Sequence, residues 1–177
     1  MSSEHSPTSL SAIFGAEGQL LSRLLRVFQL DDSVYAEIQD DVAAIPQAFV
    51  IVIATSVLVG LGQASLHGMF LGIASACVLW LVATGLLWLA GSIVVGDRTD
   101  YVPLLRCTGF AYAWFSLMLF GSLPLVGWIV GWAAVALCFT SLVIATRRIL
   151  ETTTGQALGI CAVALGLPVL IARCLGA

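Results

Sequence analysis

Lysine is absent from the chain: every one of its seven basic residues is an arginine. Charge of either sign is scarce. Asp, Glu, Lys and Arg together make 10% of the 177 residues, against 60% hydrophobic ones. A soluble domain carries roughly 25% charged residues and about 45–50% apolar ones. So few charges cannot keep the surface of a water-soluble globule of this size wet, and the lipid bilayer must serve as part of the solvent. The mean hydropathy of +1.05 agrees. Missing lysine with arginine retained is also what a GC-rich bacterial genome would produce.

Metal and disulfide signatures are missing too. The five cysteines (Cys77, Cys107, Cys138, Cys161 and Cys174) form no CxxC pair and lie away from histidine at ligand spacing. Most sit in apolar runs, where cysteine packs as a small hydrophobe. His5 lies in a Ser- and Pro-bearing leader and His67 in a short turn, and a metal needs several converging ligands. No serine has a base and an orienting group arranged around it, so no catalytic residue, metal ligand or cofactor site is assigned.

The charges that remain are sorted along the chain. Residues 1–44 hold Glu4, Glu17, Asp31, Asp32, Glu37, Asp40 and Asp41 against Arg23 and Arg26. The acidic tail argues against a nucleic-acid partner, which demands a basic surface. Residues 1–15 show no clear period and read as disordered, and no secretory signal pattern is visible. Within 17–29, Leu20, Leu21, Leu24, Leu25 and Phe28 recur at helical spacing with Arg23 and Arg26 largely off that stripe. This predicts an amphipathic helix. It can lie in the headgroup plane, with Arg23, Arg26, Leu24 and Phe28 as membrane-surface residues, and it can pack on the ends of the spans; the two placements do not exclude each other. Asp31 or Asp32 is the expected N-cap of a second short helix over 32–43, with Val34, Tyr35, Ile38 and Val42 on one side.

Residues 45–177 read as an all-α membrane domain with about five spans, near 45–62, 68–95, 104–121, 125–146 and 156–173. Pro46 falls in the first turn of the first span, where its missing N–H is harmless. The second is long, with Gly85 and Gly91-Ser92 as candidate bends. Five spans put Arg23, Arg26, Arg98, Arg106, Arg147 and Arg148 on one side and Arg173 on the other. The positive-inside rule then places the N-terminus in the cytoplasm and the C-terminus outside a cell membrane, expected to be a bacterial inner membrane.

The spans contain no Asp or Glu, the groups that usually carry a proton through a bilayer, so a proton-coupled carrier is disfavoured. Arg106, one turn inside its span, reads first as a snorkelling anchor and second as a substrate contact. The pairs Gly68/Gly72, Gly127/Gly131 and Gly155/Gly159 are candidate helix-packing glycines, either within one protomer or between copies in a homo-oligomer.

Several segments carry a family resemblance: Asp31 to Asp41 before the first span with Gln47-Ala48 opening it; Gly109-Phe110-Ala111-Tyr112-Ala113; Leu123-Pro124-Leu125-Val126-Gly127; and Ala145-Thr146-Arg147-Arg148 with Thr154-Gly155-Gln156-Ala157. Over about residues 20–173 the chain resembles the Yip-domain family, the Ypt/Rab-interacting membrane proteins, in its prokaryotic form. The resemblance implies five spans, a cytosolic N-terminus and no known enzymatic activity, and it singles out Gly109, Tyr112, Pro124 and Gly127, which join Arg106 as candidate functional residues. Trp114 stands where the family often has proline. The aspartate–leucine–tyrosine–glycine–proline tail signature of eukaryotic members is absent, so Rab binding is not carried over. Two readings follow. One is a membrane scaffold that recruits membrane-protein partners or organises the bilayer. The other is a transporter, channel or lipid-moving protein for a neutral or lipid-like substrate. An intramembrane enzyme has no residue set behind it.

Overall fold

The computed structural model describes residues 10–62, 66–96, 100–123 and 126–174, with side chains over 18–61, 72–96, 100–121, 123 and 126–166. Among the described residues every regular element is helical: α1 (Leu10–Phe28), α2 (Ser33–Asp40), α3 (Ala44–Gly62), α4 (Leu66–Val95), α5 (Tyr101–Ala111), a 3₁₀ segment (Tyr112–Ser122), α6 (Val126–Ile149) and α7 (Thr154–Cys174). Four stretches are long and apolar enough to cross a membrane: Ala44–Leu61, Gly72–Val95, Tyr101–Gly121 and Val126–Ile149. Thr154–Gly166 is a shorter apolar helix. The helices are apolar all round, and Val78, Leu89, Ile93, Trp128, Ile129 and Val163 are exposed, a pattern suited to a lipid-facing surface.

Short connections make neighbouring helices antiparallel. The start of α3, the end of α4, the start of α5 and the α6–α7 corner therefore share the end of the bundle that holds α1 and α2. α3 packs against α4, α5 and the 3₁₀ segment; α6 packs against α5, the 3₁₀ segment and α7; α2 wedges against α5 and α6. One core gathers Val27, Tyr35, Ile38, Ala48, Trp80 and Phe110, and a second gathers Leu87, Trp114, Cys138, Leu142, Ile160 and Cys161. Cys107, Cys138 and Cys161 are buried free thiols in these cores.

Local structure departs from the sequence expectation in five places. α1 starts at Leu10, ahead of the expected 17. α2 is shorter than 32–43, so Val42 falls in the following turn and is 73% exposed. Asp32 occupies the N-cap position without a side-chain bond; Asp31 accepts instead, from the Ser33 N–H at 3.0 Å and the Ser33 hydroxyl at 2.6 Å. The third span is α-helical only to Ala111 and then 3₁₀ through Ser122. Three residues per turn stack Tyr112 on Phe115, with ring centroids 5.4 Å apart. α4 is one unbroken helix of 30 residues, about 45 Å at 1.5 Å per residue against a hydrocarbon core near 30 Å.

Two glycines set close approaches. A Cβ on Gly109 would lie 2.5 Å from Ala48 Cβ and 3.1 Å from the Trp80 ring, so α5 meets α3 and α4 there at a distance only glycine permits. A Cβ on Gly127 would lie 2.1 Å from the Gly121 carbonyl oxygen, which closes the corner between the 3₁₀ segment and α6. Gly131 has only ordinary contact with Met118, and Gly72, Gly155 and Gly159 face open space. The surroundings of Gly68 lie outside the described residues. Of the expected packing glycines, then, Gly127 has a tight contact, and Gly109 is the residue that the repeated spacing did not reveal.

Gly109→Ala is therefore expected to destabilise the bundle by about 1–3 kcal/mol through overpacking. Gly159→Ala, in open space on α7, is expected to be neutral or stabilising by up to about 1 kcal/mol through helix propensity. Thermal unfolding of the two variants in one detergent checks the contrast.

Candidate functional site

Polar chemistry concentrates at the tail end of the bundle, where α1 and α2 are bound to the spans. Arg23 is 5% exposed. Its Nε donates to Glu37 at 2.9 Å, its Nη2 meets Asp41 at 2.7 Å and its Nη1 donates to the Gln47 side-chain oxygen at 2.8 Å. One guanidinium thus joins α1, α2, the following turn and the first turn of α3. Arg26 meets Asp31 at 2.9 Å and Glu37 at 2.7 Å, and it donates to the Ser33 hydroxyl at 2.7 Å. Planar guanidinium forks suit such multi-acceptor bonding.

These bonds move the charges apart. Hydrogen bonding to Arg23, with Arg26 adding, holds the Glu37 carboxyl below its ordinary 4.5. Hydrogen bonding to Arg23 and to the Ala43 N–H holds Asp41 below 3.8. Ser33 and Arg26 bring Asp31 down to about 2. For Arg23, burial opposes the charged form, but the hydrogen bonds it donates to Asp41 and Glu37 outweigh that and raise its pKa.

The expected membrane-surface residues separate on the two sides of α1. Leu20 and Leu24 pack on the core, Val27 is fully buried, and Arg23 is consumed by the ion pairs. Arg23 thus cannot reach lipid phosphates, and the packed-helix alternative describes its position. Leu21 and Leu25 remain exposed, at 62% and 54%. Phe28 is partly exposed and meets the Trp114 ring edge-on at 5.0 Å.

Arg106 is 8% exposed and does not snorkel to water. Its Nη1 donates to the Gln39 carbonyl at 2.6 Å, while its Nε has no hydrogen-bond partner. Gln39 lies in the last turn of α2, where carbonyls lack helical partners and the helix dipole favours a cation. Arg106 makes no ion pair with Asp100; Asp97 and Arg98 lie outside the described residues, as does Pro124. Arg147 reaches back to Asp32 at 3.2 Å. The Tyr35 hydroxyl bonds the Ser141 hydroxyl deep between α5 and α6, and Cys107 Sγ lies 3.6 Å from the Tyr35 carbonyl.

Among the spans, Trp80 Nε1 donates to the Thr108 hydroxyl at 3.0 Å, and the Thr84 hydroxyl lies 2.8 Å from the same oxygen. This knot holds α4 to α5 beside Gly109. An apolar cleft of about 810 Å³ opens between α3, α4 and the 3₁₀ segment, and a second of about 550 Å³ lies between α4, the 3₁₀ segment, α6 and α7. Both reach Leu79, Val82, Tyr112 and Phe115. Tyr112, singled out by resemblance alone, therefore stands between two cavities. Among the described residues no group of three or more His, Cys, Asp or Glu side chains is arranged to hold a metal ion.

Comparison with protein-family models, with curated proteins and with solved structures finds no match to this chain.

The tail clasp is expected to open in acid. Glu37 and Asp41 have folded-state values below their unfolded ones, so their contribution is complete above about pH 4.5 and is lost as the pH falls through the lowered values. As the pH falls through those lowered values, the protection of α1 amides, relative to their intrinsic exchange at each pH, should drop while the α6 amides stay protected. Glu37→Gln should reproduce part of that loss of protection at neutral pH.

Proposed function

We propose that this is a non-catalytic multi-pass protein of the Yip type, with five spans and a cytoplasmic N-terminus. Its function is to organise the membrane and to recruit a membrane partner through the tail end of its bundle. The observation that carries the reading is the placement of α1. The helix is bound through Arg23, Leu24 and Val27, yet its other side presents Leu21 and Leu25 to the surroundings. A docked helix that keeps large leucines outward, held by ion pairs to a rigid bundle, offers an apolar contact strip at a fixed place. The occupant of such a strip is the membrane interface or an apolar helix of a neighbour.

Other features support the membrane part. Trp128 and Trp132, 75% and 64% exposed, lie one turn apart near the start of α6, as interfacial tryptophans do. Arg23, Arg26, Arg106, Arg147 and Arg148 all belong to the opposite, tail end, which fits that end facing the cytoplasm. α7 serves as the fifth span, over Thr154–Cys174.

A second reading, movement of a neutral or lipid-like molecule, is favoured by the two apolar cavities that meet at Tyr112 and Phe115.

Reporter fusions at residues 1 and 177 are expected on opposite faces of the membrane, and labelling on the same face would remove the five-span topology. The tagged full-length chain is expected to retain a defined partner from native membranes, and Leu21→Glu with Leu25→Glu should release it with unchanged thermal stability. An identical partner set on both proteins would overturn the recruiting strip, and capture of none would favour the second reading.

A further inference from the structure

Between α2 and the corner joining α6 to α7 lies an open cavity of about 760 Å³. Its walls include Gln39 from α2, Arg147 and Arg148 from the end of α6, and Glu151, Thr152 and Thr154 from the corner. The cleft is polar, unlike the two between the spans.

Two observations on these walls point to a ligand. Arg148 is exposed and makes no ion pair among the described residues, while Arg147 divides its guanidinium between Asp32 at 3.2 Å and the Thr154 hydroxyl at 3.5 Å. Glu151 stands at φ +48°, in the left-handed region where a side chain is disfavoured. It occupies the second position beyond Ile149, the last residue of α6, where helices most often place glycine, with the Thr152 N–H bonded back to the Arg147 carbonyl at 3.2 Å. The carboxylate is thus kept at this wall in a backbone conformation that suits glycine. The corner needs no ligand for its own order, because Thr153 and Gln156 cap α7 reciprocally, at 3.1 Å and 3.4 Å.

The wall therefore offers two guanidinium forks and the Thr154 hydroxyl beside one carboxylate. An anion alone would satisfy the forks and face Glu151. A cation alone would do the reverse. A phosphate carrying an ammonium two carbons away satisfies both, with its phosphate on Arg148, Arg147 and the Thr154 hydroxyl and its ammonium on Glu151. Guanidinium forks match phosphate oxygens bidentately.

We propose that this cavity binds a phosphoethanolamine group. The chemistry is shared by a phospholipid headgroup and by soluble phosphoethanolamine. The lipid is the expected source, because the corner follows directly on the apolar helix Val126–Ile149; that choice of source rests on reading α6 as a span. A headgroup held between α2 and the α6–α7 corner would fasten the tail helices to the membrane as well as to the bundle.

The test is native mass spectrometry of the full-length chain, purified and stripped of lipid in detergent, with phosphatidylethanolamine, phosphatidylglycerol and soluble phosphoethanolamine as probes. Phosphatidylethanolamine should be retained in preference to phosphatidylglycerol. Arg148→Gln should lower its retention about tenfold by removing a charge-assisted contact. Glu151→Gln should erase the preference between the two lipids. Both side chains are exposed, so unchanged thermal unfolding certifies the fold of each variant. Equal retention of the two lipids by the wild type, or wild-type retention by Arg148→Gln, overturns the proposal. Displacement of the lipid by soluble phosphoethanolamine at equal concentration overturns the lipid source and leaves the chemistry of the group. Soluble phosphoethanolamine binds in detergent whether or not α6 crosses a membrane, so loss of the site is distinguishable from loss of the five-span topology.

Discussion

The buried guanidinium of Arg23 holds the tail end of this protein together. Three acceptors from three successive segments converge on it: Glu37 in α2, Asp41 in the turn and Gln47 in α3. Taking a cation out of water is costly unless its donors are met by well-placed acceptors. Here all three nitrogens are engaged, and the counter-charges stay partly in solvent, so their own desolvation is modest. Once α1 is fixed in this way, Val27, Val34, Tyr35 and Ile38 close over Ala48, Cys107 and Phe110 as one core. The short α2 then sits as a wedge between α5 and α6.

Two arginines reinforce the wedge from different directions. Arg106 donates to the last turn of α2, and Arg147 reaches the carboxylate just before its first turn. α2 is thus held at its C-terminal end by a cation that its dipole favours, and near its N-terminal end by a pair that runs from the end of α6. Surface ion pairs of the Arg147–Asp32 kind contribute little individually, about 0–1 kcal/mol. The buried Tyr35–Ser141 and Arg106–Gln39 contacts lie where water competes less. The acidic tail is therefore better understood as a set of acceptors for the protein's own arginines than as a free anionic arm.

Deeper in the bundle the polar groups are few, and most are occupied within the protein, the buried Trp114 Nε1 excepted. Trp80, Thr84 and Thr108 form one knot, and Thr55, Ser56 and Thr140 return to carbonyls of their own helices. Interiors of this kind hold helices together by close backbone approach and hydroxyl bonds, and Gly109 supplies the approach. The 3₁₀ geometry after Ala111 then lines up Tyr112 and Phe115 on one row, which brings both rings to the boundary between two apolar cavities.

The sequence by itself determined the helical class, the apolar stretches and most of their ends. These depend on composition and on runs of residues along one chain: charge too scarce for a wet surface, and polar turns between apolar segments. It also located the amphipathic helix, because a stripe at 3.6-residue spacing is a local property. Which side of that helix is buried was decided only by the tertiary structure. Leu20 and Leu21 are equally apolar, and Arg23 looks like a surface residue until Glu37, Asp41 and Gln47 are brought around it. The same holds for glycine: regular spacing marked Gly155 and Gly159, which face open space, whereas Gly109 matters because Ala48 and Trp80, distant in the chain, come within contact of it. The cavity at the α6–α7 corner has the same origin. Arg147 and Arg148 read along the chain as the end of a span, and only the docking of α2 places Gln39 opposite them, because contact across 100 or more residues is a property of the folded chain.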